Sequence, residues 1–278
     1  MAKCYATWQQ LSDPGYLGEG IANIGYQTTL QRMLENASVE IDHICRRHFD
    51  CWEGTYYFAG SGIWFLPDED ILSISELKLD TDGDGTYETT LSPSDYILYP
   101  LSGPQPYPKL YLRTSLTSGY GTFASGIPSG VKITGIFGYG DGLSATPYYD
   151  SGITITVADA SSTLVTMSTP NVLQEGHTIR VGSEQMYVKS LLGATATVDR
   201  AVNGTTGAAH SAVEAYIYKY PGPVTESTLI LATGWWKQRE SPATFMAGSD
   251  IMGTYTITKA IEQIVERKLD HLIKRKLL

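Results

Sequence analysis

Leu30, Leu34, Ala37, Ile41, Ile44 and His48 recur at alternating steps of four and three, while Gln31, Glu35, Glu40, Arg46 and Arg47 mostly fall elsewhere. That spacing puts the first set on one stripe and predicts a helix over 24–49. Thr254 to Leu278 repeats the pattern through Ile257, Ile261, Ile264, Val265, Leu269, Leu272 and Ile273. An apolar stripe needs a partner, so the two segments are expected to belong to a small helical frame carrying long β insertions.

Between them the period falls to two. Cys51 to Phe58 is aromatic and β-branched. Ile71–Leu79, Tyr87–Leu91, Tyr96–Tyr99, Lys109–Arg113 and Val131–Phe137 then alternate as strands of an antiparallel sheet region over 52–140. Gly138 to Tyr149 marks a boundary by its Gly and Pro content. Strands are predicted next around Ile153–Val157, Thr178–Val181, Gln185–Val188, Ala194–Val198 and Ala215–Tyr218, with a two-residue hairpin turn at Gly182–Ser183 and a turn at Asn203–Gly204. Glu226 to Lys237 returns to helical spacing. The expected fold class is α+β: a small bundle with long N- and C-terminal helices, an antiparallel sheet region, and an inserted small β-barrel or β-sandwich. The domains are expected at 1–150, 151–220 and 221–278.

The 278 residues carry a net charge of −9, unevenly spread. From Lys259 onward six basic and three acidic residues give +3, which leaves −12 for the body. An acidic body opposes a surface that grips nucleic acid, because such affinity rests largely on neutralising phosphates. No apolar run is long enough to span a membrane and the first residues lack signal-peptide organisation, so synthesis in a cytoplasm is expected. The cysteines Cys4, Cys45 and Cys51 are expected as free thiols.

Asp80, Asp82 and Asp84 with Gly85 and Glu88 match the early positions of a calcium loop, which makes the three aspartates candidate ligands. The position reserved for a bidentate Glu holds Leu91, and the flanks read as strands, so a hairpin turn is the stronger expectation. His43, Cys45, His48 and Cys51 are close in sequence, but helical geometry separates His43 from Cys45 and His48, which argues against zinc. No nucleophile–base pair, metallopeptidase motif or phosphate-binding loop is present, so no catalytic residue and no cofactor is expected. Trp235, Trp236 and Arg239 at a helix end are candidate subunit-interface residues. Tyr148, Tyr149, Tyr187, Tyr216, Tyr218 and Tyr220 offer rings for a glycan, as in a tail or baseplate binding module, against the commoner packing of strand aromatics.

The order of several motifs resembles the head-tail connector (adaptor) proteins of long-tailed bacteriophages. These are Leu34–Asp42 leading to Arg47-His48-Phe49, Leu66-Pro67, the Asp80–Gly85 turn with Tyr87-Glu88, Asp95-Tyr96, Val131–Gly140, and a helix ending in Arg239-Glu240-Ser241-Pro242. The resemblance covers roughly residues 20–140 and 222–278. It implies a virion structural protein of the neck, assembled as a ring, typically dodecameric, beneath the portal protein. Such a ring contacts a stopper or tail-completion protein and lets DNA pass without sequence recognition. It further implies a portal contact at the C-terminus, with Ile257, Ile261, Lys268, His271, Leu272, Lys274, Arg275, Lys276, Leu277 and Leu278 as candidates. The 151–220 segment departs from the family pattern.

Overall fold

The computed structural model describes residues 3–17, 24–101, 106–107, 109–113, 119, 121–123, 126–140, 147–240, 246–249 and 253–274. In chain order the elements begin with α1 (Trp8–Leu11), α2 (Pro14–Leu17) and α3 (Gln27–Cys45). Seven strands follow: β1 (Cys51–Phe58), β2 (Trp64–Phe65), β3 (Ile71–Leu79), β4 (Thr89–Leu91), β5 (Tyr96–Tyr99), β6 (Lys109–Leu112) and β7 (Val131–Gly138). Six more are β8 (Tyr148–Val157), β9 (Leu164–Met167), β10 (Thr178–Val181), β11 (Glu184–Leu192), β12 (Thr195–Asp199) and β13 (His210–Tyr218). The chain continues with α4 (Gly222–Glu240), β14 (Met246–Ser249), β15 (Gly253–Thr256) and α5 (Ile257–Leu269). The protein is thus mixed α+β, and it divides into two compact units, one of residues 1–46 with 148–278 and one of residues 47–147.

In the first unit α3 packs on α4, and α4 on α5. The α3 stripe is buried at Leu30, Leu34, Ala37, Ile41 and Cys45. It shifts from Ile44 to Cys45 because a helical period of 3.6 drifts against strict steps of four and three. The expected end at Phe49 is corrected: Arg46 adopts the left-handed conformation (φ 53°) and its N–H closes on the Asp42 carbonyl. His48 therefore lies beyond the helix, exposed, with Nε2 3.8 Å from Glu69. The last helix also starts later than expected. Thr254, Tyr255 and Thr256 belong to a hairpin strand paired with β14, and after Leu269 the chain tightens into a 3₁₀ turn over Asp270–Leu272.

Six strands of this unit close a barrel in the order β10-β11-β12-β9-β8-β13, with β13 returning to β10. Closure removes every sheet edge. Alternate residues point inward, so Ile155, Val165, Ile179, Val181, Val188, Val198 and Ile217 fill the interior. Gly182 with φ 60° turns β10 into β11 in two residues, with Val181 opposite Glu184.

In the second unit the single expected sheet is two. One runs β1-β7-β3-β4, and the other β2-β6-β5. Side chains of both meet in one core, where Phe58, Leu77, Ile133 and Phe137 face Tyr96, Leu110 and Leu112. Gly138 has no alternative residue: a Cβ there would lie 1.8 Å from the Asp50 carbonyl oxygen, and its φ is 116°.

Candidate functional site

The carboxylates of Asp80, Asp82, Asp84 and Glu88 converge, their nearest oxygens all within 4.8 Å of one another. The loop is nevertheless held by its own backbone. Asp80 accepts from the N–H of Gly83 (2.7 Å) and of Gly85 (2.9 Å), and Asp84 accepts from Thr86 N (2.7 Å). Desolvation pushes the Asp80 carboxyl up, but the N–H donors of Gly83 and Gly85 outweigh it and hold the group below its ordinary range. Leu91, at the position of the missing bidentate ligand, is buried in β4 opposite Leu77. Among the described residues no other group of three or more His, Cys, Asp and Glu brings its ligand atoms together. Cys45 and Cys51 are buried, while His43 and His48 are exposed.

The C-terminal candidates separate by burial. Val265, Leu269 and Leu272 are buried, and Ile261 presses on Gly234 of α4, where a Cβ would meet Ile261 Cδ1 at 2.6 Å. Lys268 and His271 are exposed, and the Lys274 N–H donates to the Cys45 carbonyl at 2.8 Å. Ile264, 49% exposed, is an apolar residue on the outer side of α5. The side chain of Ile257 and all of Arg275, Lys276, Leu277 and Leu278 lie outside the described residues. Trp236 is buried with its ring edge-on to Tyr26 at 5.3 Å, and the Arg239 guanidinium sits 5.4 Å over the Trp236 ring. Trp235 is half-buried.

The barrel holds a buried ionic cluster that sequence reading missed. Glu184, fully buried, receives Arg200 through Nε (2.6 Å) and Nη2 (2.8 Å), His210 Nε2 at 2.9 Å, and the N–H groups of Ala201 and Ala208 (both 3.1 Å). Arg200 also donates to the carbonyls of Asp159, Ser162 and Ala208. Five donors on one carboxylate leave it no capacity for a reacting group. Burial raises the Glu184 carboxyl, yet Arg200, His210 and the two backbone donors together bring it below the ordinary value. The only local signal was a Glu immediately after the Gly182–Ser183 turn, with Arg200 and His210 far along the chain.

The tyrosines also sort by environment. Tyr187 is buried, its hydroxyl donating to Glu35 Oε1 (2.9 Å) and accepting from Gln31 Nε2 (2.8 Å) of α3. Tyr148, Tyr218, Tyr220 and Tyr5 stand in a row with centroid spacings of 5.1, 4.6 and 4.7 Å. On the outer barrel face the Arg180 guanidinium lies 4.7 Å over Tyr148 and 5.2 Å over Tyr216.

Beside the tyrosine row lies a cavity of about 180 Å³, bounded by the N-terminal segment Cys4–Thr7, the start of β10 and the end of β13. His177 lines it. Its Nδ1 accepts from the Gln174 N–H at 3.1 Å, which leaves the ring proton on Nε2. Burial lowers its pKa to about 4, so the ring is neutral near pH 7. Thr178 and Tyr220 bring their hydroxyls to 3.3 Å of each other at the wall, and Lys219 stands exposed at the rim. Cys4 is no nucleophile here: burial pushes its thiol up to about 12, and Sγ donates to the Ala6 carbonyl.

No family model matches the sequence, and no curated protein matches it.

Proposed function

We propose that this chain is a virion structural protein of a phage neck, a head-tail connector whose copies form a ring between the portal and the next neck or tail component. The observation that carries the reading is the ordered set of motifs from Leu34–Asp42 through Val131–Gly140 to Arg239–Pro242. The packing of α3 on α4 and of α4 on α5 supports it, because a connector frame needs N-terminal and C-terminal helices gathered into one bundle. The −12 body suits a channel wall, since repulsion keeps DNA from adhering as it passes. The work is assembly and not chemistry: surfaces repeated around a ring add weak contacts by avidity. On this reading α5 and the 3₁₀ turn after it are anchored by Val265, Leu269 and Leu272. Lys268, His271 and the segment Arg275–Leu278 are the part offered to the portal.

Native mass spectrometry of the protein with and without its cognate portal tests this, alongside a chain ending at Lys274. The expected outcome is a multi-subunit ring on the portal that the shortened chain fails to form. A folded full-length protein that ignores the portal would sink the proposal.

A further inference from the structure

We infer that the cavity beside His177 is a binding site for a carboxylate group, carried by a small acid or by the end of a peptide chain. In a protein with 29 acidic and 20 basic residues, no Asp or Glu lines this cavity. Its lining includes two residues with nitrogen donors, His177 and Lys219, beside the Thr178 and Tyr220 hydroxyls that pair with each other. His177 Nε2 has no hydrogen-bond partner among the described residues, and Lys219 makes no ion pair among them.

A neutral imidazole locked with its proton on Nε2 is a directional donor, and a nearby ammonium supplies the charge. Together they match a two-oxygen acceptor, because charge-assisted hydrogen bonds are roughly twice as strong as neutral ones. Size sets the other limit. Small-molecule sites usually occupy about 300 to 1,000 Å³, so 180 Å³ holds a side-chain-sized group and not a dinucleotide or a haem. The rings of Tyr218 and Tyr220 supply an apolar flank for the carbon bearing the carboxylate. The inference is independent of the connector reading.

The test is an imidazole ¹⁵N–¹H NMR titration of the full-length protein, labelled at histidine, at pH 7 and fixed ionic strength. The probes are acetate, its neutral isostere acetamide, inorganic phosphate, and N-acetyl-diglycine with a free C-terminus. Acetate is expected to move the His177 Nε2 resonance saturably, with a dissociation constant on the order of 1–10 mM, inside the ceiling for four heavy atoms. Acetamide is expected to leave it unmoved. Lys219→Gln, an exposed change that leaves the fold intact, should weaken acetate about tenfold, the effect of losing one charge-assisted contact. A peptide that binds more tightly than acetate identifies a chain end as the natural source, and equal affinity identifies a free acid. Equal shifts with acetate and acetamide, an unchanged affinity in Lys219→Gln, or binding of phosphate in preference to acetate would each overturn the assignment.

Discussion

The Tyr187 hydroxyl of β11 donates to Glu35 Oε1 at 2.9 Å and accepts from Gln31 Nε2 at 2.8 Å, so one phenol ties the barrel wall to two successive turns of α3. Burial, reinforced by the Cys4 thiol and the Glu35 carboxylate, drives the phenol well above its ordinary pKa, which keeps the donor in place across the neutral range. Tyr187→Phe removes the hydroxyl and leaves Glu35 and Gln31 facing an apolar ring. The expected loss is about 1–3 kcal/mol of stability, read as a lower urea midpoint with an unchanged m-value. A midpoint equal to the parent's would show that these bonds carry no net weight.

Glu184 predicts a larger effect. Glu184→Gln strands the Arg200 guanidinium in a buried site and is expected to cost about 3–5 kcal/mol, whereas replacing Glu184 and Arg200 together by methionine recovers part of it. The wild-type carboxyl is depressed in the folded protein, so its stabilisation is present above the unfolded carboxylate value and lost as the pH falls through the lower folded one. Urea denaturation of the wild-type protein and the two variants between pH 3 and 7 checks both points, and equal midpoints for the single and double variants would contradict the first.

His177 makes stability depend on pH in a different window. Its pKa is about 4 in the folded protein against 6.5 as the ordinary value. The unfolded chain therefore takes up the proton first as the solution is acidified. Stability is full above about pH 6.5, declines between 6.5 and 4, and is flat in this contribution below 4. The amplitude is about 2–3 kcal/mol after allowance for partial exposure. His177→Asn should flatten the pH profile in that interval. A profile unchanged by the substitution would exclude His177 as its source.

Much of the fold was legible wherever one local pattern decided it. The α3 stripe and the Gly182–Ser183 hairpin needed only spacing and turn chemistry. The end of α3 was not, because it rests on Arg46 in a left-handed conformation that arginine does not advertise. Strand β9 escaped notice because it is four residues long, with Ser161-Ser162-Thr163 before it and Leu164 exposed. Barrel closure pairs Ile179 with Ile217, a match between distant positions that no window reveals. The Asp80 turn was legible because its hydrogen bonds are local. Glu184 and the cavity around His177 were not, since each joins segments remote in sequence.

Barrel closure has one more consequence. The first strand and the last are direct neighbours, with Tyr148 opposite Tyr218, so the chain enters and leaves the barrel at points only about 5 Å apart. The seventy or so residues between them form a detour that returns to its starting place. The barrel is thus a closed excursion of the backbone, and its length leaves the distance between its entry and exit points unchanged.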